Sequence, residues 1–138
     1  MGAMSFDFGM SHIGVATIEL TTSSVQPTTT IKAKKGRPSI EQLDLLLNTW
    51  KPTQLIVGLP LNMDDSESPM SKASRKFGKF LERRFSLPVH FVDERLTTIE
   101  SKSRTSNAHS DHAIAACAIG ESWLHELCVD KDRGGRDS

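Results

Sequence analysis

Tyrosine is absent from this 138-residue chain, and cysteine occurs only twice. Cys117 and Cys128 form no C-x-x-C pair, so neither a disulfide-stapled scaffold nor a cysteine zinc site is expected. Net charge is missing too: Lys plus Arg number 17 and Asp plus Glu number 17. Whole-chain charge therefore singles out no polyanionic partner, and any case for nucleic acid rests on local patches. No apolar run approaches membrane length, and no charged-then-apolar leader is visible. The expectation is a cytoplasmic protein that makes no membrane contact. The length fits one domain around one hydrophobic core.

The apolar residues that are present fall into short, bounded runs. Ala3–Gly9 reads as a strand and Ile13–Leu20 as a second, close enough for a hairpin. TTTIKAK gives a third strand ending near Lys34, and Lys34, Lys35 and Arg37 then share a loop with Gly36 and Pro38. Ser39 is placed to cap a helix, with Gln42 as its reciprocal partner. Ile40, Leu43, Leu46, Leu47 and Trp50 follow at helical spacing, and Lys51-Pro52 closes the helix. Gln54–Pro60 is a continuous apolar run between breakers, the pattern of a central strand buried on both faces. A second helix is predicted from about Ser68 to Phe85, a further strand over Ser86–Glu94, and an Ala-rich helix over Asp111–Leu127. Residues 1–128 make one domain, and the charged tail 129–138 is expected to be disordered. The order βββαβαβα predicts an α/β fold with a mixed five-stranded sheet flanked by helices.

One acid stands inside an apolar strand. FDFGMSHIGVA places Asp7 between Phe6 and Phe8, and two more acids sit at element ends. Glu94, with Asp93, closes the strand VHFVDE, and Asp111 opens the last helix in HSDHAIAA. Ligands of open α/β sheets gather beyond strand ends. If the first and last strands lie side by side with the last helix across them, Asp7, Glu94 and Asp111 meet at one point. Crowded carboxylates repel unless a proton or a cation neutralises them. Mg²⁺ accepts a few carboxylates plus waters and phosphate oxygens, and paired ions assist phosphodiester cleavage. Each acid also has an ordinary explanation. Asp before Gly forms turns, an acid at a strand end is solvated, and an acid at a helix start suits the macrodipole. Spacing alone does not bring the three together.

FDFG…IGVA, IVGLPLNMD, VDERLTT and the late D-x-A-x-A-A resemble, in that order, the YqgF/RuvX family of Holliday junction resolvases and pre-16S ribosomal RNA nucleases. The resemblance runs from about Ser5 to Leu124 and implies an RNase H-like fold. It implies that Asp7, Glu94 and Asp111 are catalytic acids holding Mg²⁺ or Mn²⁺, with a metal-activated water attacking phosphorus. The implied substrate is structured RNA, pre-16S rRNA above all, or else branched DNA. Ribosomal particles are an implied partner, and the chain would act as a monomer or weak homodimer. Three places depart from the family: Met10, Ser11 and His12 stand where basic residues are usual, and Asp65 stands where glycine is common. The segment before Asp111 is also shorter than the family's, with only Lys102 and Arg104 as cations.

Basic residues fall in two clusters. Lys72, Lys76, Lys79 and Arg83 share one narrow face of the second helix, with Arg75 beside it and Ala73, Phe77, Phe80 and Leu81 opposite. Lys32, Lys34, Lys35 and Arg37 make the other. Both are candidates for phosphate contact, although a charged face is also an ordinary solvated one. Arg95, Asn62 and the histidines His12, His109 and His112 are further candidates near the acids. Two other readings stay open: a non-catalytic nucleic-acid or ribosome-associated protein, and a phosphate-binding hairpin like that of actin-like ATPases. The latter needs two such domains, and this chain holds one.

Overall fold

The computed structural model describes residues 2–60, 68–93 and 111–137, with the last helix described by backbone alone at Asp111 and from residue 127 on. The elements are β1 (Gly2–Asp7), β2 (His12–Glu19), β3 (Ser24–Lys34), β4 (Arg37–Pro38), α1 (Ile40–Trp50), β5 (Gln54–Leu59), α2 (Pro69–Phe85), β6 (Val89–Asp93) and α3 (Asp111–Asp137). They form one sheet in the order β4-β3-β2-β1-β5-β6. β1 to β4 pair antiparallel as a meander, while β1, β5 and β6 run parallel.

Alternation along the strands sends side chains into two cores. Met4, Phe6, Ile13, Val15, Leu55 and Val57 face α1 and α2, where they meet Leu43, Leu47, Phe77 and Leu81. Ala3, Ile18, Ile56 and Val92 face α3, against Ile119 and Trp123. Ala16 packs there too, on Ala116 and Cys117. The small residues of α3 let the helix sit close to the sheet, and the buried Ser5 hydroxyl donates to the Ala116 carbonyl at 2.7 Å.

The structure departs from the sequence reading in five respects. A sixth strand exists: Arg37 and Pro38, expected in a loop, pair with Lys34 and Ala33. The tip between them, Lys35-Gly36, has positive φ at both residues (52° and 83°), as a two-residue type I′ turn requires. β1 and β6 are not neighbours, because β5 lies between them. At about 4.8 Å per strand this sets their axes roughly 10 Å apart. Ser39 makes no side-chain cap, because Gln42 Oε1 instead accepts the Lys32 backbone N–H at 3.0 Å. The capping box belongs to α2, where Ser68 and Ser71 exchange side-chain and backbone bonds. Finally, α3 extends past its expected end at Leu127, its backbone helical through Asp137.

α1 buries only part of its predicted stripe: Leu43, Leu46 and Leu47 are buried, while Ile40 and Trp50 are exposed. Arg84 of α2 reaches Asp44 of α1 through both carboxylate oxygens, at 2.8 and 2.6 Å, and holds that carboxyl below the ordinary range. Among the described residues, no helix is long and apolar enough to cross a membrane.

Candidate active site

Asp7 is the last residue of β1, and its cross-strand partner on β2 is Gly14. By parity it belongs with Ala3, on the face covered by α3. The first turn of α3 crosses the sheet at that point. A Cβ built on Gly14 would fall 1.8 Å from the His112 carbonyl oxygen and 2.9 Å from the Ala113 nitrogen. Backbone therefore rests on backbone, and only glycine leaves room. The contact brings the start of α3, and so the main chain of Asp111, to the end of β1.

The electrostatics there are those of a carboxylate short of neutralisation. Burial pushes the Asp7 carboxyl up to about 6, and the positive charge of His112 offsets part of that rise. His112 also stacks on His12, with ring centres 5.2 Å apart and planes 18° from parallel. Two exposed imidazoles thus stack together near the half-buried acid. Asp93 ends β6 opposite Leu59 of β5, and Val92 before it faces α3. Among the described residues, no group of three or more His, Cys, Asp or Glu side chains converges. Glu94, Arg95, Asn62, Asp65, Lys102, Arg104 and His109 lie outside the described residues.

The basic residues stand on the surface. Lys32, Lys34, Lys35 and Arg37 are exposed, and Lys32 pairs with His12 across β2 and β3. Lys72, Lys76, Lys79 and Arg83 are exposed along α2, and Arg75 lies over the Phe91 ring at 5.7 Å. One groove brings the two predicted clusters together, with Lys35 and Arg37 on one side and Lys76 on the other.

Two site-forming residues escaped the sequence reading. Gly14 was legible only as part of IGVA, and Ser5 as one more strand residue. The available signal was small residues on both partners, Gly14 and Ala16 on β2 with Ala113 and Ala116 on α3.

A meander followed by parallel strands, with an acid ending the first strand under a closely packed last helix, is an RNase H-like architecture. Solved structures agree on the fold. Thermus thermophilus RuvC in complex with Holliday junction substrate superposes with a TM-score of 0.63, at 13% identity, over 93% of this chain and 96% of that one. The fowlpox virus resolvase bound to Holliday junction DNA gives 0.57 at 15% identity, over 92% and 99%. In sequence, the model of the RuvX family, described as Holliday junction resolvase, matches residues 1–126. A Nitrosococcus oceani protein named "Putative pre-16S rRNA nuclease" is 44% identical over 89% of this chain and 86% of its own length. A Coxiella burnetii protein of the same name is 44% identical over 90% and 92%. The chain belongs to the RuvX family.

Proposed function

We propose that this protein is a metal-dependent endonuclease that hydrolyses a phosphodiester bond in processing the 5′ end of precursor 16S rRNA. The observation that carries the reading is the half-buried Asp7 carboxyl, raised by burial and seated where the first turn of α3 meets Gly14. The relatives named for that activity support it at 44% identity.

The described part of the site suits a hard dication. Asp7 offers carboxylate oxygens at a strand end, and among the described residues the charge that assists its ionisation is that of His112. In this proposal Asp7, Glu94 and Asp111 hold Mg²⁺ or Mn²⁺. A bound dication supplies Lewis acidity and makes a coordinated water a nucleophile near neutral pH. The protein's own share is positioning. Gly14 lets α3 approach, the Ser5–Ala116 bond fixes its height over the sheet, and His112 places an imidazole within electrostatic reach of Asp7. Because β5 separates β1 from β6, the described end of β6 stands two strands from Asp7. Lys34, Lys35, Lys72, Lys76, Lys79, Arg83 and Arg95 grip the phosphate backbone, and the work takes place in the cytoplasm on ribosomal precursor particles.

Branched DNA is the second reading, favoured by the family's description as Holliday junction resolvase. The test is a cleavage time course on a precursor 16S rRNA fragment and on a four-way DNA junction, with Mg²⁺ or Mn²⁺, by wild type and Asp7→Asn. Preferential cutting of the RNA by wild type alone is the expected result. Equal cutting by Asp7→Asn overturns the catalytic assignment, and cutting of the junction alone moves the substrate to DNA.

A further inference from the structure

We propose that the groove between the β3–β4 turn and α2 seats unpaired nucleotides of the substrate, next to the strand that carries Asp7. The groove measures about 690 Å³, within the range of small-ligand sites. Its floor is apolar: Phe8, Met10, Ile40 and Phe80. Its rim is basic: Lys35 and Arg37 on the turn, Lys76 on α2. None of the residues that line it is acidic.

The groove is built rather than incidental. The Gly36 N–H donates to the Met10 carbonyl at 2.9 Å, and the Ala33 N–H to the Ser11 carbonyl at 2.8 Å. These bonds pin the hairpin tip to the connection that follows Asp7. A Cβ on Gly36 would meet Met10 Sδ and the Phe8 ring at 3.3 Å, so the tip already lies in contact with the floor. Below it the Phe8 and Phe77 rings pack at 5.2 Å, and Phe77 meets Phe6 edge-on at 5.7 Å. The floor is packed from below, yet Met10 and Ile40 remain 45% and 39% exposed.

Apolar floor and cationic rim match one ligand chemistry. Unpaired bases lay their faces on apolar and aromatic side chains while their phosphates meet Lys and Arg. A duplex hides its base faces and would engage only the rim. A second apolar groove, beside Leu45 and Trp50, is lined by no charged residue and offers a phosphate nothing. Asp7 faces α3 whereas Phe8 faces α2. A strand bound in the groove therefore reaches the acid by crossing the short Phe8–Ser11 connection. Enzyme of this design would cut where paired and unpaired segments meet.

The inference rests on the nuclease reading for its substrate, so its test avoids cleavage. Fluorescence anisotropy in EDTA compares a short labelled single-stranded RNA with a duplex of the same sequence. Arg37→Glu combined with Lys76→Glu should weaken single-strand binding about tenfold or more, whereas Arg37→Lys with Lys76→Arg should bind as wild type. Met10→Ser with Ile40→Ser should weaken the single strand about tenfold, leave the duplex within about twofold and keep the salt slope. On the wild type, a 4-thiouridine RNA should cross-link to peptides containing Met10 or Phe80, a readout independent of any variant's folding. Unchanged binding by the charge-reversed protein, equal loss of single strand and duplex by the serine variant, or cross-links only elsewhere would each overturn the proposal. So would a wild-type dimer that the serine variant dissolves in sedimentation, which would give the groove to a second copy. If Asp7→Asn still cleaves while these binding results hold, the nuclease assignment falls and the groove stands. If Asp7→Asn is dead while binding ignores the groove, only the groove falls.

Discussion

The Gly14 backbone lies directly beneath the His112 carbonyl, so close that a methyl group at position 14 would fall 1.8 Å from its oxygen. That contact is what sets the last helix against the acid of the first strand. Gly14→Ala is therefore expected to lift the first turn of α3 and to cost about 2 kcal/mol or more, the scale of overpacking a tight contact. A lower melting temperature, faster amide exchange at the start of α3 and lost cleavage would bear this out. A variant that melts and cuts like wild type would show that α3 is not held there.

Asp7→Asn should abolish cleavage and stabilise the metal-free fold. The folded Asp7 carboxyl titrates near 6 against an ordinary 3.8, so the folded state binds the extra proton between those values. Stability then falls as pH rises from about 4 to about 6 and is level above. At pH 8 the Asn variant, which carries no charge to bury, should be more stable by about 1–2 kcal/mol after allowance for partial exposure. Near pH 3 the difference should vanish. Thermal melts in EDTA across this range check the sign. A less stable Asn variant at pH 8 would return Asp7 to a structural role.

Mn²⁺ should raise the wild-type melting temperature and leave Asp7→Asn unmoved, since a ligand that binds only the folded state stabilises it by mass action. Equal shifts in both proteins would place the ion elsewhere.

Replacing Lys72, Lys76, Lys79 and Arg83 together by Ala should weaken RNA binding for every sequence. Each lost phosphate contact should lower the slope of log K against log salt by about one unit. An unchanged slope would remove that face of α2 from the binding surface.

Ser68→Ala should cost about 1 kcal/mol by opening the capping box of α2. Ser71 loses one of its partners but still donates to the Pro60 carbonyl, so the helix should shorten rather than detach. A melt lowered by a few degrees is the expected reading.

How far the sequence led depends on whether a feature is local. Period-two and helical patterns located the hairpin, the buried central strand and the three described helices, because each is a property of neighbouring residues. Strand order is not. Nothing in Gln54–Pro60 states that this run inserts between β1 and β6, and the expectation that those two strands touch was wrong for that reason. Capping failed at Ser39 because Gln42, well placed in sequence, found the Lys32 N–H across space. Arg37-Pro38 was too short to show any period, and the Lys35-Gly36 turn that joins it to β3 was legible only as a break. Asp7 could be singled out because it interrupts an apolar strand, but the glycine that lets α3 approach it is silent until the helix above it is known.

Phe6, Asp7 and Phe8 alternate between the two sides of the sheet, and this constrains how such a chain can change length. One residue inserted within Gly2–Asp7 would turn the carboxylate into the core beneath α1 and α2 and press a phenyl ring onto the first turn of α3. Two inserted residues would restore the facing but carry the acid about 7 Å along the strand, away from Gly14. Descendants of this chain can gain or lose residues freely only where no face is being counted, as in the exposed Thr21–Ser23 turn between β2 and β3. The opening strand is in effect a ruler, and its length is inherited whole.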